Sequence, residues 1–179
     1  METNKRRLIK KLFTICLVLG FIAILSLTGI IVYFSKDLPD YKVLQNYQPK
    51  IVTRLYAGDG QLISEYASEK RVFIPIEIVP EKVKDAFLSA EDKTFYHHYG
   101  ISPTGIFRAM ISNVHNIKRG RRPAGGSTIT QQVAKNFLLT NDVSITRKIK
   151  EAIIAVKIEH ALTKDEILEL YLNEIFLGM

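Results

Sequence analysis

The feature that most constrains this chain is an apolar run near its N-terminus. Residues 12–35 carry no charged side chain, and a helix of about 23 residues at about 1.5 Å each spans roughly 34 Å. That length is enough to cross a hydrocarbon core of about 30 Å. A cleaved signal peptide has a shorter core, about 7–15 residues, followed by a small-x-small site, and no such site follows here. The run therefore predicts a transmembrane signal-anchor helix over residues 12–34.

The charges around this run predict its orientation. The preceding tail, residues 1–11, has one acidic residue, Glu2, against five basic ones: Lys5, Arg6, Arg7, Lys10 and Lys11. Basic tails stay cytoplasmic, so we expect a single-pass type II membrane protein with residues from about 36 onward outside the cytoplasm. Much of the formal net charge of +7 belongs to this tail, and no basic motif interleaved with aromatics follows, so we expect no nucleic-acid partner.

Residues 35–75 predict a linker followed by a β-hairpin. Pro39 and Pro49 are typical of a linker. Two alternating runs on either side of the turn sequence at 58–60 predict a pair of antiparallel strands. A further short strand is expected at residues 72–74.

The rest of the chain, residues 76–179, has helical periodicity. The predicted helices cover residues 80–90, residues 103–116, a segment entered through 125–132, residues 144–162, and a last segment that begins after Thr163. Three of them have strong start signals, which are Ser102 with Pro103, Thr128 with Gln131, and Thr163 with Glu166. On the helix over 144–162, the side chains expected to face the core are Ile145, Ile149, Ala152, Ile153 and Val156.

The segment 91–100 has the strongest chemical content. It combines a Glu-Asp pair, aromatic side chains and two histidines directly after a predicted helix. Glu91 at the end of that helix is a candidate general base. By itself, the segment is explained better as a solvated helix end with a surface carboxylate pair.

Two further segments are suited to binding an anion. The stretch 125–132 leads a glycine pair and hydroxyl side chains into a helix, where free backbone N–H groups favour phosphate, and Lys135 adds a cation beyond it. Further on, Arg147 and Lys148 lie within one helical turn of Glu151. This second group is either a surface salt bridge or a cationic clamp around a carboxylate.

Four stretches match one known pattern in order and spacing. They are Glu91-Asp92-x-x-Phe95-x-x-His98-x-Gly100 followed by Gly105-x-x-Arg108-Ala109; Gly125 to Gln132 with Lys135-Asn136; Arg147-Lys148-x-x-Glu151; and Lys164-x-Glu166-Ile167-Leu168-Glu169-x-Tyr171-Leu172-Asn173. Together they resemble the peptidoglycan glycosyltransferase domain of class A penicillin-binding proteins.

This resemblance implies a mainly α, lysozyme-like domain over residues 76–179, incomplete at its C-terminus. It implies that lipid II is joined into glycan strands with inversion and with release of undecaprenyl diphosphate. The resemblance makes Glu91 the catalytic base and Glu151 a second carboxylate. It assigns the diphosphate to Lys135, Arg147 and Lys148, and substrate contacts to Ser127, Thr128 and Gln131. Supporting roles would fall to Asp92, Phe95, His98, Gly100, Arg108 and Asn173.

Cofactor and partner expectations follow from the same resemblance. A divalent cation, Mg²⁺ or Mn²⁺, would be held near Glu151. The expected partners are lipid II, the growing glycan strand, membrane lipid and other cell-wall synthesis proteins. Diphosphate is a good leaving group that needs no general acid, whereas glycosidases typically use two carboxylates, so one base with separate cations favours transfer. A lytic glycan-cleaving enzyme and a non-catalytic module that binds cell-wall precursors remain the alternatives.

Overall fold

The computed structural model describes residues 2–47, 53–66, 73–121, 125–140 and 142–175. The chain divides into two compact units, Met1–Leu38 and Pro39–Met179. The predicted class, mainly α with a short β-hairpin and an N-terminal helix, is confirmed.

The first unit is one long helix, α1, Glu2–Ser35. Its stretch Lys10–Ser35 has a mean hydropathy of 2.8, and none of that stretch is buried. By length and composition this helix can cross a membrane.

The second unit is a helical body with a hairpin. In chain order, its helices and strands are β1 (Thr53–Tyr56), β2 (Leu62–Tyr66), α2 (Glu81–Glu91), α3 (Pro103–Lys118), α4 (Ile129–Leu138), α5 (Ile145–Ala161) and α6 (Lys164–Glu174). Short 3-10 turns lie at Tyr41–Asn46, Ile76–Ile78 and Phe95–His97. The predicted hairpin is confirmed, since β1 and β2 pair antiparallel with Thr53 opposite Tyr66.

The helices begin where the start signals place them. Ser102 Oγ accepts a hydrogen bond from the Gly105 N–H over 3.0 Å, which starts α3. Complete capping boxes start α4, from Thr128 and Gln131, and α6, from Thr163 and Glu166. Because each box satisfies backbone N–H groups that the first turn leaves free, these boundaries could be predicted locally.

The core lies where α4, α5 and α6 pack together. Its most deeply buried apolar side chains, each 0 or 1% exposed, are Ile129, Val133, Ala134, Ile154, Ala155, Ile158, Ile167, Leu168, Phe95 and Tyr171. Burial of apolar surface at about 25 cal/mol per Å² is the main term that holds these helices together.

The predicted core face of α5 is wrong. Ile145 is 82% exposed, and Ile149, Ala152, Ile153 and Val156 are only partly buried. The buried stripe of α5 instead contains Ile154, Ala155 and Ile158, and it continues through Glu151. The prediction failed because Glu151 was assigned to the solvent side, whereas two cations compensate its charge inside the protein.

Two expectations for residues 35–75 also need correction. The predicted linker contains the turn Tyr41–Asn46, whose Leu44 is 4% exposed and which packs on α5. Of the strand expected at 72–74, Val72 lies outside the described residues, and Phe73 and Ile74 are not in a strand. Ile74 instead exchanges hydrogen bonds with the Asn173 amide over 2.8 and 2.9 Å, so a side chain replaces the strand partner.

Candidate active site

The candidate base, Glu91, is the last residue of α2 and is exposed. Its Oε2 accepts a hydrogen bond from Gln132 Nε2 over 2.8 Å. Gln132 lies in the first turn and a half of α4. The carboxylate is therefore held by a helix that begins 38 residues later in the chain, at Ile129.

Asp92, directly after Glu91, is an anchor that points into the protein. It is 4% exposed, and its Oδ2 accepts hydrogen bonds from His98 Nε2 over 2.8 Å and from the Ile129 N–H over 3.3 Å. The second bond places a carboxylate at the N-terminus of α4, where a negative charge is stabilised. Asp92 thereby ties the end of α2 to the start of α4, while Glu91 remains open to solvent.

A hydrogen bond between Gly100 and Thr128 connects the loop after α2 to the start of α4. Thr128 Oγ1 donates to the Gly100 carbonyl over 2.6 Å. Gly100 has φ of +84°, and a Cβ there would lie 2.7 Å from the Ala155 carbonyl carbon. Glycine is required at this position both by backbone conformation and by the close approach of α5.

Glu151 is the buried carboxylate of the site, at 2% exposure. Its Oε1 lies 3.2 Å from Arg147 Nη1, and its Oε2 accepts from Lys148 Nζ over 2.7 Å. Lys148 Nζ also donates to Ser127 Oγ over 2.5 Å. Burying a carboxylate is costly unless it is paired, and here two cations from one helix provide the pairing. Of the two readings left open by the sequence, the cationic clamp matches this geometry.

One pocket of about 460 Å³ brings these groups together. Its lining residues are Ala90, Glu91, Gly125, Ser127, Gln131, Gln132, Lys135, Arg147, Lys148 and Glu151. Three cations face two carboxylates, so the pocket has a net positive charge. Arg147 Nε is buried and has no hydrogen-bond partner among the described residues, which leaves an unsatisfied donor at the pocket wall.

The other candidate residues lie outside this pocket. Thr128 caps α4, and Asn173 holds the backbone of Ile74. Phe95 is buried beneath Lys164, whose Nζ lies 4.4 Å from the ring centroid and donates to the His98 carbonyl over 2.7 Å. Arg108 lines a separate, mainly apolar groove of about 480 Å³ along α3. The expected supporting residues thus hold the loop after Glu91, except Asn173 and Arg108.

Gln132 is the polar pocket residue that the sequence reasoning missed. The resemblance assigns the substrate contact to Gln131, which the sequence also places in a capping box, and its side chain does bond to the Thr128 N–H over 3.0 Å. A helix advances about 100° per residue, so the next side chain points elsewhere, in this case at Glu91. The available signal was the pair itself: once one glutamine caps the helix, the other is free for a separate contact.

Tyr171 on α6 lies close enough to Glu91 for the carboxylate to affect it. Burial, and after it the negative charge of Glu91, raise the pKa of Tyr171 from 10.0 to about 12. Its hydroxyl has no hydrogen-bond partner among the described residues. The phenol therefore stays protonated at alkaline pH values at which an ordinary tyrosine, with a pKa of 10.0, ionises.

The donor set around Glu151 offers little to a divalent cation. Among the described residues, no three His, Cys, Asp or Glu side chains are grouped so as to hold a metal ion. Both Glu151 oxygens already contact cationic side chains. The predicted divalent ion stays a prediction, and an ion here would need most of its ligands from bound diphosphate and water.

The chain is similar to known proteins over most of its length. Residues 59–179 match the family model described as Transglycosylase. Penicillin-binding protein 1A of Rickettsia bellii (strain RML369-C) is 54% identical over 166 residues, 89% of this chain and 21% of that protein. Penicillin-binding protein 1A of Neisseria flavescens is 46% identical over 180 residues, 96% of this chain and 22% of that protein. The chain thus spans about a fifth of the length of these relatives.

Proposed function

Since this chain belongs to the transglycosylase family, whose fold is lysozyme-like, we propose that it is part of a peptidoglycan glycosyltransferase. In this proposal the protein polymerises lipid II into glycan strands and releases undecaprenyl diphosphate. The observation that carries the proposal is that Glu91 lines the same pocket as Lys135, Arg147 and Lys148. A base and a cationic group on the wall of one pocket are what transfer from a diphosphate donor needs.

The acceptor side of the reaction needs a base. The attacking group is a sugar hydroxyl, whose proton passes to Glu91 as the oxygen bonds to the anomeric carbon of the donor. The exposure of Glu91 leaves it accessible to a hydroxyl, and Gln132 Nε2 holds its Oε2 over 2.8 Å. The other carboxylate oxygen, Oε1, is then available to take the proton.

The donor side needs positive charge where negative charge develops. As the bond from the anomeric carbon to the diphosphate oxygen breaks, the electron pair leaves with the diphosphate, which Lys135, Arg147 and Lys148 would receive. Glu151 holds two of these cations from within the protein, so they are oriented before the substrate binds. Direct displacement by the hydroxyl inverts the anomeric configuration.

Two features support a location of this protein at a membrane surface. Helix α1 can cross a membrane by its length and composition. Helix α3 also leaves apolar side chains uncovered, among them Phe107, Met110 and Ile117 at 66, 63 and 70% exposure. We propose that the protein is anchored in the inner membrane with the pocket outside the cytoplasm.

The test uses the full-length protein that contains this chain, purified in detergent. Wild-type protein incubated with labelled lipid II should give glycan polymer, and Glu91→Gln should lower the rate by at least about 100-fold while its circular dichroism is unchanged. Purified glycan strands should not be cleaved. Normal polymerisation by Glu91→Gln would remove Glu91 from the mechanism, and strand cleavage without polymerisation would favour the lytic alternative.

A further inference from the structure

Lys164, the first residue of α6, has a charged side chain that takes no direct part in the proposed reaction. Its side chain is 21% exposed, and its Nζ lies 2.7 Å from Oε1 of Glu159 on α5, whose side chain is 4% exposed. Thr130 Oγ1 on α4 donates to the same oxygen over 2.6 Å. A carboxylate buried to this degree needs such partners, because an unpaired charge is costly inside a protein. The Lys164 ammonium is thus fixed by a carboxylate that α4 and α5 hold together.

The same ammonium contacts the loop 92–98, which follows the proposed base. It donates to the His98 carbonyl over 2.7 Å and lies 4.4 Å from the centroid of the Phe95 ring. Phe95 is 1% exposed, so this cation–π contact is largely shielded from water, where it is strongest. A hydrogen bond from a charged donor is also stronger than one between neutral groups. Lys164 is therefore attached to the middle and to the end of this loop.

His98 links the Lys164 contact to the residue next to the proposed base. Its carbonyl is held by Lys164, while its ring Nε2 lies 2.8 Å from Asp92 Oδ2. Both His98 and Asp92 are buried. Within the loop, the Phe95 N–H donates to the Asp92 carbonyl over 3.0 Å. Because Asp92 directly follows Glu91 in the chain, the position of the Glu91 backbone depends on how firmly this loop is held.

We propose that Lys164 is a positioning residue for Glu91: by holding His98 and Phe95, it fixes the loop that sets where the Glu91 carboxylate lies in the pocket. This inference rests on the proposed function, because it takes Glu91 as the base. Lys164 is not among the residues that line the pocket, so it acts through the loop and not on the substrate. A displacement of about 1 Å in a reacting group can cost about 100-fold in rate, so an anchor of this kind affects catalysis without contacting the reacting atoms.

The test compares two variants of the full-length protein in detergent that differ only at residue 164. The single variant, Glu159→Gln, keeps an oxygen that Lys164 and Thr130 can both contact. The double variant, Glu159→Gln with Lys164→Met, also removes the cation, and it leaves no unpaired carboxylate buried because both charges are gone. Relative to the single variant, the double variant should have a kcat for lipid II polymerisation that is about tenfold lower. Its KM should be unchanged, because the pocket cations are untouched.

Hydrogen exchange, followed by mass spectrometry, gives a second readout that does not depend on activity. The amides of Phe95 and His97 donate to the Asp92 and Thr94 carbonyls over 3.0 and 2.8 Å. They should exchange about tenfold faster in the double variant than in the single variant, because local opening of the loop becomes easier.

The control is Leu44→Ala, which removes a buried side chain from the turn that packs on α5. It should lower the stability of the protein but change neither kcat nor exchange in the loop 92–98. An equal fall in kcat in this control would overturn the positioning role, because a general loss of stability would then explain the effect.

Two further results would overturn the positioning role and leave the proposed function intact. Equal kcat in the single and double variants would mean that the loop does not set the position of the base, even if it exchanges faster. A lower kcat with unchanged exchange would mean that Lys164 does not act through the loop. Absence of polymer from wild type would instead count against the proposed function itself, and the positioning role would fall with it.

Discussion

Gln132 Nε2 lies 2.8 Å from Oε2 of Glu91, so a glutamine in the first turns of α4 holds the carboxylate proposed as the base. The adjacent Gln131 bonds instead to the backbone of Thr128. Two identical side chains, one residue apart, both line the pocket but form different hydrogen bonds, one with the proposed base and one with the start of the helix.

This separation can be measured with a matched pair of alanine variants. Gln132→Ala should lower kcat by at least about tenfold, because a hydrogen bond to a charged group contributes about 1.5–3 kcal/mol, and should leave the free energy of unfolding nearly unchanged. Gln131→Ala should lower the free energy of unfolding by about 1 kcal/mol through loss of the capping box. Lipid II turnover and thermal unfolding check the two effects. If both variants lose turnover with no loss of stability, the assignment of tasks is contradicted.

Glu151→Gln tests the buried clamp. The substitution keeps the shape but removes the charge that holds Arg147 and Lys148, so we expect the free energy of unfolding to fall by about 1–3 kcal/mol. Turnover should fall too, by less than in Glu91→Gln, because the cations remain but lose their orientation. Steady-state kinetics and chemical unfolding provide the measurement. A wild-type rate would return Glu151 to the role of an ordinary salt-bridge partner.

Two glycines with the same φ of +84° allow backbone strain to be separated from packing. Gly60→Ala, where a Cβ meets nothing within 4 Å, should cost about 1 kcal/mol from conformation alone. Gly100→Ala adds a contact of 2.7 Å with the Ala155 carbonyl carbon and should cost about 3 kcal/mol or more. Thermal unfolding of both variants is the measurement. Equal losses would mean that α5 moves away from residue 100 at little cost.

Alkaline stability should depend on Tyr171. Burial first, and then Glu91, raise its pKa to about 12, above the ordinary value of 10.0. The folded chain holds the phenol proton more tightly than the unfolded chain. The stability that the protonated Tyr171 contributes is therefore fully present below pH 10 and is lost as the pH rises through about 12. Tyr171→Phe removes the ionisation and leaves no unsatisfied hydroxyl, so the variant should unfold at higher pH than wild type.

Far-UV circular dichroism across this alkaline range is the measurement for Tyr171→Phe. Tyr96→Phe is the matched control, since the pKa of Tyr96 is also raised to about 12 but its hydroxyl donates to Asp165 over 2.9 Å. Tyr96→Phe also loses this hydrogen bond, so its alkaline unfolding midpoint should rise less than that of Tyr171→Phe. An unchanged alkaline midpoint for Tyr171→Phe would show that Tyr171 does not limit stability at high pH.

Several elements of this protein could be predicted from short stretches of its sequence. Ser102, Thr128 and Thr163 begin helices as expected, because a capping side chain satisfies backbone groups only a few residues away. The hairpin around 58–60 and the apolar helix α1 are likewise set by short-range pattern and length. These elements could be predicted because the interactions that determine them are contained in a few consecutive residues.

The sequence by itself determined the helix starts, the hairpin, the apolar helix and the residue types that make a base and a cationic group available. Only the tertiary structure decided that Glu151 is buried while Ile145 is exposed, and that Gln132 contacts Glu91. The reason is physical: whether a charge can be buried depends on partners brought close by packing. Periodicity assigns a carboxylate to the solvent side, and it cannot account for the two cations of α5 or for the close approach of α4 and α5.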